Sequence, residues 1–335
     1  MPKVGHRTTN NEQRKNQGMR AFVTGASGFV GGHLCEHLLA EGDEVVGISM
    51  GGAWPSSLAH LSGSVRLDRM DLATAGESEL SEFLKRERPE VIYHLAAQSN
   101  PQQSVADPRG TWAQNLGGTL NLLEAVRASN GSPRVVVVSS GTCYGDPAPE
   151  FIPVRENCPM RPNNPYAASK AAADLLAVQH FLAHRTDTVI VRPFNHAGPR
   201  QSPRYVLSGL AAQVAEVEAG KKERIEVGNL EVVRDFVDVR DVVHGYRLLA
   251  TRGASGEIYN LGTGRGTKIA DALETLRSMA RRPIEVHVDP ARVRPVDLPF
   301  LVADSSKLRG ATGWEPNFSI EQTLADMLES GRSAV

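Results

Sequence analysis

Short apolar runs alternate with helical patterns from residue 19 to about residue 195 of this 335-residue chain. The runs that read as strands are MRAFVTG, EVVGIS, SVRLDRM, VIYHLAA, RVVVVSS and TVIVRPF. Between most of them lie segments with apolar residues at helical spacing, such as FVGGHLCEHLLAEG. This alternation predicts a parallel, doubly wound sheet with helices on both faces, and the valine-rich strands suit its buried interior.

After about residue 195 the alternation loosens into a mixture of helices and short strands. We therefore predict two domains: a dinucleotide-binding domain at 19–195 and a smaller, mixed α/β substrate domain at 196–335, with segments that interleave with the first. Residues 1–18 are polar and have no apolar periodicity, which predicts a disordered leader.

Composition narrows the function classes. The net charge of −1 argues against general attraction to nucleic acid or to an anionic membrane. No apolar run approaches the ~20 residues that a membrane-spanning helix requires. The three cysteines, Cys35, Cys143 and Cys158, have neither metal-ligand spacing nor the even count of a disulfide framework. We expect a cytoplasmic protein with free thiols and no metal, nucleic-acid or membrane partner.

The glycines of TGASGFVGGHL follow the first strand and open the first helix. Gly25, Gly28 and Gly31 have G-x-x-G-x-x-G spacing. Glycine is needed where the backbone turns tightly and approaches a pyrophosphate, and the helix N-terminus supplies free N–H groups and a positive dipole. In this context the pattern predicts a Rossmann-like domain that binds NAD(P).

The residues at the end of the second strand bear on the choice between NAD and NADP. An acid there would accept a hydrogen bond from the ribose 2′-hydroxyl of NAD, but the sequence has Ser49. Serine does not repel a 2′-phosphate, yet Met50 follows instead of a phosphate-binding arginine. NADP(H) is favoured and NAD(H) stays open. Asp71, before Leu72, could meet the adenine or cap the next helix.

A candidate catalytic pair lies in NNPYAASKAAADLL. Tyr166 and Lys170 are four residues apart and share one face of a predicted helix. A lysine ammonium near the phenol is expected to lower the tyrosine pKa toward neutrality. Ser139 and Ser140 end the preceding strand, so a serine hydroxyl could hydrogen-bond a substrate carbonyl that Tyr166 protonates.

These motifs together resemble the extended short-chain dehydrogenases/reductases that act on nucleotide sugars. The glycine loop, HLAA at 94–97, NLGGTLNLLEA, SSGTCYG, the Tyr166–Lys170 pair and RPFNHAGP carry the resemblance, which covers essentially everything after residue 19. It assigns the catalytic trio to Ser140, Tyr166 and Lys170. The expected cofactor-binding residues are Gly25, Ser27, Gly28, Phe29, Val30, Gly31, Ser49, Asp71, Leu72, Leu95, Ala96, Ala97, Tyr166 and Lys170.

The C-terminal half resembles the GDP-sugar branch, above all the GDP-4-keto-6-deoxymannose reductases. VRPFNHAGPRQSPRYV, VGNLEVVRDFVDVRDVVHGY, RPVDLPFLVADSSKL and TGWEP carry this likeness. It implies that Asn195 and Arg234 meet the substrate pyrophosphate, Arg294 the pyrophosphate or ribose, and Asp297 the nucleoside. The expected substrate-binding residues are Thr142, Asn195, Val206, Arg234, Arg294 and Asp297.

The reaction is predicted from a missing acid. In the related GDP-mannose 4,6-dehydratases, a glutamate two residues after the catalytic threonine normally transfers the C5 proton. Thr142 holds that position here, and its hydroxyl cannot replace a carboxylate near neutral pH. The missing acid therefore favours NAD(P)H-dependent reduction over dehydration. The resemblance implies the substrate and the stereochemistry at C4, so we predict conversion of GDP-4-dehydro-6-deoxy-D-mannose to GDP-D-rhamnose.

Other functions remain open at this stage. A nucleotide-sugar 4-epimerase would use the same trio, and a dehydratase or a non-catalytic dinucleotide sensor fits less well. Family members often pair through two long helices, here about residues 108–128 and 165–184, so we also expect a homodimer.

Overall fold

The computed structural model describes residues 18–129, 131–292 and 300–335. In chain order, its strands are β1 (Arg20–Thr24), β2 (Glu44–Ser49), β3 (Arg66–Arg69), β4 (Val91–His94), β5 (Arg134–Val138), β6 (Thr188–Pro193), β7 (Asn195–Ala197), β8 (Arg224–Val227), β9 (Val233–Arg234), β10 (Phe236–Asp238), β11 (Ile258–Leu261), β12 (Thr267–Lys268), β13 (Glu285–Val288) and β14 (Phe300–Leu301). Its helices are α1 (Phe29–Ala40), α2 (Glu77–Glu87), α3 (Pro101–Ala106), α4 (Pro108–Trp112), α5 (Gly118–Ala128), α6 (Pro165–His184), α7 (Val206–Glu218), α8 (Val239–Arg252), α9 (Ile269–Ser278), α10 (Ser306–Thr312) and α11 (Ile320–Ala334). The leader expected at 1–18 lies outside the described residues except for Gly18.

The central sheet has seven parallel strands in the order β11-β6-β5-β4-β1-β2-β3. The strand order reverses around β1, where β2 lies on one side and β4 on the other. This arrangement confirms the predicted Rossmann-like, doubly wound fold. It also creates a crevice at the carboxyl ends of β1 and β4, the position at which open α/β sheets bind ligands.

Successive side chains of the strands enter two different cores. Phe22, Val135 and Val137 pack with α2, α5 and α6 on one face of the sheet. Val23 and Val136 pack with α1 and α8 on the other face. Because side chains alternate along a strand, a continuous valine run fills both cores at once. The burial expected for these strands is therefore observed.

A third core lies away from the sheet and joins α7, β8, α9 and α11. Short parallel pairs, β7 with β10 and β8 with β13, connect segments that are distant in the chain. The C-terminal half nevertheless returns to the central sheet, because β11 pairs with β6 and α8 packs on α1. Segments after residue 195 thus contribute both to the central sheet with its helices and to the third core.

Two predicted elements differ in detail. The strand expected through residue 97 ends at His94, so Leu95 to Ala97 form the loop that leaves the sheet. The long helix after it contains a π-helical turn at Ala113–Gly117, between α4 and α5. None of the helices in the described residues is both long and apolar enough to cross a membrane.

Candidate active site

A cleft of about 530 Å³ opens at the carboxyl end of the central sheet. It extends from the end of β3, across the β1–β4 crevice, to the start of α7. Strand ends form one half of it, which we call the cofactor half. Residues after residue 193 form the other half together with Ser99, Asn100, Gln102 and Thr142, and we call it the substrate half.

The glycine loop shapes the floor of the cofactor half. Gly25 has a left-handed φ of +73°, and a β-carbon there would lie 3.0 Å from the Ala96 nitrogen. A β-carbon at Gly31 would collide with the Gly25 carbonyl oxygen. Helix α1 starts behind Gly28 without a side-chain cap and without an acid in its first turn. Its first N–H groups and its dipole therefore suit a diphosphate, and the residues fit a dinucleotide.

Every cofactor-binding residue expected from the sequence lines the cleft. Ser49 ends β2, and its hydroxyl accepts a hydrogen bond from the Gly52 N–H at 3.1 Å. Asp71 lines the cleft as well, and its carboxylate accepts from the Ala73 N–H at 3.0 Å. It does not cap α2, whose N-terminal cap is Gly76.

The candidate catalytic trio lies where the two halves meet. Asn164 caps α6 by accepting the Ala167 N–H at 2.9 Å, which places Tyr166 and Lys170 in the first turns of this helix. Ser140 follows β5 and caps a short turn, and its hydroxyl lies 2.9 Å from the Thr142 hydroxyl. All three side chains line the cleft, with Thr142 beside them.

The electrostatics of the pair differ from the expectation. Burial raises the pKa of Tyr166 to about 12, although a hydrogen bond from Ser140 opposes the rise. Burial also lowers the pKa of Lys170 to about 8, against the opposing charge of Asp174. The Lys170 ammonium donates to the Val138 carbonyl at 2.6 Å. The expected lowering of the tyrosine pKa was therefore wrong for this state, because burial outweighs any effect of the lysine charge.

A buried ion pair connects α6 to β6. The Arg192 Nε lies 2.6 Å from Asp174 Oδ2, and both side chains are buried. Arg192 also donates to the Tyr144 hydroxyl at 2.8 Å, which in turn donates to Asn260 at 2.7 Å. This network ties α6, β6 and β11 to the turn that follows Ser140.

The side chains of Asn115 and His94 make hydrogen bonds that join neighbouring elements of the fold. The Asn115 amide donates to Ser169 at 2.9 Å, and its carbonyl oxygen accepts from the Gln98 N–H at 2.7 Å. Burial lowers the pKa of His94 to about 3, so its ring is neutral and bridges Thr24 and Thr119 at 2.9 Å each. These bonds hold β1, β4, α5 and α6 together beneath the cleft.

The substrate half contains only part of the expected residues. Thr142, Asn195 and Val206 line the cleft. Arg234 lies in β9 outside the cleft lining, and its guanidinium donates to the Val233 carbonyl at 2.9 Å. Arg294 and Asp297 lie outside the described residues.

Several residues of the substrate half were missed by the sequence reasoning. The polar ones are Ser99, Asn100, Gln102, His196, Gln201, Arg204 and Tyr205. The last four could have been predicted from the sequence, because they form a cluster of polar and aromatic residues at 196–205, just before α7. The Tyr205 hydroxyl lies 3.2 Å from that of Ser99, across a long sequence separation. That contact has no local sequence signal.

Carboxylates are scarce in this cleft. Among the lining residues that the structure describes, Asp71 is the single acid, and it lies at the end of β3. Glu150 is exposed, and Glu156 accepts a hydrogen bond from the Asn260 N–H at 2.8 Å outside the cleft. The described lining offers hydroxyls and one buried cation at its centre, which suits proton donation to a carbonyl oxygen.

Comparisons with known proteins agree with this geometry. The family described as GDP-mannose 4,6 dehydratase matches residues 22–327. A curated relative, the GDP-6-deoxy-D-mannose reductase of Pseudomonas aeruginosa, is 36% identical over 317 residues, 94% of this chain and 98% of the relative. The structure of RMD from Pseudomonas aeruginosa complexed with NADPH is 35% identical and superposes with a TM-score of 0.82, over 95% of this chain and all of that one.

A solved epimerase is also similar. The Thermus thermophilus UDP-glucose 4-epimerase in complex with NAD is 31% identical, has a TM-score of 0.83, and aligns over 95% of this chain and all of the epimerase. The resemblance to nucleotide-sugar enzymes that the sequence motifs indicated is thus confirmed.

Proposed function

The chain belongs to the GDP-mannose 4,6-dehydratase family, and we propose that it is an NAD(P)H-dependent reductase of the C4 ketone of a GDP-4-dehydro-6-deoxyhexose. The specific reaction we propose converts GDP-4-dehydro-6-deoxy-D-mannose to GDP-D-rhamnose. The similarity to a GDP-6-deoxy-D-mannose reductase supports the substrate class.

The observation that carries the proposal is the trio of Ser140, Tyr166 and Lys170 in a cleft whose described lining has no acid near it. The bound cofactor supplies a hydride. Tyr166 donates the proton to the carbonyl oxygen, and Ser140 holds that oxygen by a hydrogen bond. The charge of Lys170 favours the phenolate that Tyr166 becomes. None of these steps requires the C5 base of a dehydratase.

Substrate and cofactor contacts complete the proposal. Thr142, Asn195 and Val206 would contact the sugar nucleotide from the cleft lining, and Arg234, Arg294 and Asp297 would approach it from the C-terminal half. NADP(H) is favoured over NAD(H), supported by Ser49 and by the NADPH complex of the similar reductase. Residues 19–195 and 196–335 would serve as cofactor and substrate domains.

Epimerisation is the second candidate, favoured by the likeness to UDP-glucose 4-epimerase. An epimerase returns the hydride to the same carbon, so it retains its cofactor, whereas a reductase exchanges its cofactor at every turnover. The test is incubation with a panel of GDP- and UDP-4-keto sugars and of GDP- and UDP-hexoses, with NADH or NADPH. Stoichiometric oxidation of the reduced cofactor by a GDP-4-keto sugar would support reduction. Hexose interconversion without net oxidation would overturn it.

A homodimer and a cytoplasmic location are parts of the same proposal. Leu175 and Leu182, on one side of α6, are 60% and 61% exposed, and Trp112 and Leu120 add apolar surface along α4 and α5. A second copy would cover these side chains. Leu175→Arg and Leu182→Arg should convert a dimer to a monomer in analytical ultracentrifugation, and an unchanged mass would contradict this interface. The three free, buried cysteines are consistent with a reducing compartment.

A further inference from the structure

Discrimination between NADPH and NADH depends on the atoms around the adenosine 2′ position. The residues at the end of β2 do not account for binding of either cofactor. Ser49 stands where an acid would accept a hydrogen bond from the 2′-hydroxyl of NADH, and Met50 provides no positive charge for the 2′-phosphate of NADPH. A residue that follows β2 is not the only one that can reach this position, because parallel strands bring their carboxyl ends together. The structure therefore points to β3, the neighbour of β2.

Arg69 is the last residue of β3 and is the register partner of Ser49. Paired residues of a parallel sheet project to the same face, so Arg69 and Ser49 share a side. Arg69 itself is outside the cleft lining, but Ser49, Met50 and Gly51 at the end of β2 and Met70, which follows Arg69, all belong to it. Arg69 is thus at the edge of the cofactor half, next to the serine that replaces the expected acid.

The loop after β2 wraps over Arg69. Gly52 has a left-handed φ of +64°, and a β-carbon there would lie 2.6 Å from the Arg69 Cβ. The Gly52 N–H donates to Ser49, which closes the loop around the strand end. A side chain at Gly52 would separate the loop from Arg69, so the glycine keeps the two in contact.

The guanidinium of Arg69 has no competing partner within the described part of the chain. Its side chain is exposed and makes no hydrogen bond or ion pair with any described residue. The other charges of β3 are paired elsewhere: Arg66 contacts Glu87 at 2.6 Å and Asp68 at 3.3 Å. Asp71, the nearest acid of the cleft, accepts the Ala73 N–H.

Building on the proposed function, we propose that Arg69 and Ser49 form a subsite for the 2′-phosphate of NADP(H), and that Arg69 determines the preference for NADPH. A guanidinium can bind a phosphate with two parallel hydrogen bonds. NADH lacks the phosphate and gains nothing from this cation. The second strand supplies an uncharged hydroxyl, and the third strand supplies the charge.

The test measures cofactor binding alone, so it does not depend on the sugar. NADPH and NADH are titrated into the purified protein and into Arg69→Ala, with binding followed by cofactor fluorescence. Loss of the charged hydrogen bonds should weaken NADPH binding by about tenfold or more and leave NADH binding unchanged. Failure of the proposed sugar reaction would not alter this result.

Arg66→Ala is the matched control, because it removes the same charge from the same strand at its other end. Ser49→Asp is a second variant, which should weaken NADPH and strengthen NADH binding by restoring an acceptor for the 2′-hydroxyl. Thermal melting checks the fold of each variant. Equal effects of Arg69→Ala on both cofactors, no effect on NADPH, or the same loss in Arg66→Ala would overturn the proposal.

Discussion

The two halves of the cleft are built in different ways. The cofactor half comes from the ends of β1 to β5, which belong to one sheet, and from the first turns of α1 and α6. The substrate half combines Asn195, Tyr205, Phe236 and Leu301, which are brought together by short pairings such as β7 with β10. One half therefore depends on local motifs, and the other depends on tertiary contacts between distant segments.

The largest expected effect arises where the halves meet. Tyr166→Phe removes the proton donor and preserves the ring, so kcat should fall by about 10²- to 10⁴-fold. The affinities for cofactor and sugar should change little, because both halves remain intact. Single-turnover kinetics with parallel binding titrations check this. A comparable loss of cofactor affinity would contradict the assignment of Tyr166 to the chemical step.

A change in the glycine loop should affect the cofactor half alone. In Gly31→Ala the new β-carbon meets backbone atoms of Gly25 and Ala26, so the loop must move and cofactor affinity should fall by up to about 100-fold. Isothermal titration with NADPH measures this. Gly310→Ala is the control, since its β-carbon would meet no neighbour within 4 Å, in a helix remote from the cleft. Equal losses in both variants would mean that the effect is not local.

A contact between the halves offers a sharper test. The Arg200 guanidinium binds Glu36 of α1 with two hydrogen bonds of 2.6 Å. The His33 ring lies 3.0 Å from the Pro199 carbonyl and 2.9 Å from Arg200. Burial lowers the pKa of His33, so the neutral ring can donate to Pro199 and accept from Arg200. This contact fastens the loop that carries Gln201, Arg204 and Tyr205.

Removing this contact should weaken the substrate half. Arg200 has a left-handed φ of +70°, so Arg200→Gly keeps the backbone conformation and removes only the side chain. A partly exposed ion pair contributes about 1 kcal/mol, so the KM for the sugar should rise about fivefold with NADPH affinity unchanged. Glu36→Gln should reproduce this effect. A rise in the Kd for NADPH instead would assign the contact to the cofactor half.

The smallest expected effect is a pH dependence. The pKa of Lys170 is lowered to about 8, so its charge is present below that pH and is lost as pH rises through it. Activity that needs the ammonium should therefore fall to about half near pH 8. The unfolded lysine titrates at higher pH and binds more protons between the two values, so stability should rise over the same interval. A pH profile of kcat/KM that stays flat to pH 10 would exclude a role for this charge.

The fold and most of the residues that line the cofactor half could be predicted from the sequence, because a strand, a glycine turn and a helix are consecutive in the chain. Sequence reasoning misjudged the pKa of Tyr166, since burial depends on residues packed from elsewhere. It also omitted α11, although Ser319 and Gln322 form a capping box before the buried Leu324, Met327 and Leu328. That helix could have been predicted from its start signal and its spacing.

The residues of the substrate half were harder to predict from the sequence. The contact of Tyr205 with Ser99 and the position of Arg69 beside Ser49 both arise from pairings between separate segments. A motif also predicted that Arg234 contacts the substrate; the structure places it in β9, outside the described lining of the cleft, and its role stays a prediction.

The central claim is that the protein catalyses transfer of one hydride from NAD(P)H to a C4 ketone and catalyses neither dehydration nor epimerisation. The most direct test is incubation of GDP-4-dehydro-6-deoxy-D-mannose with NADPH deuterated at the transferred position, followed by NMR of the product. The account predicts one deuterium at C4 of the product for each cofactor oxidised, and no conversion of GDP-mannose to a keto sugar. A product without deuterium at C4, or formation of a keto sugar with loss of water when GDP-mannose is incubated in parallel, would contradict it.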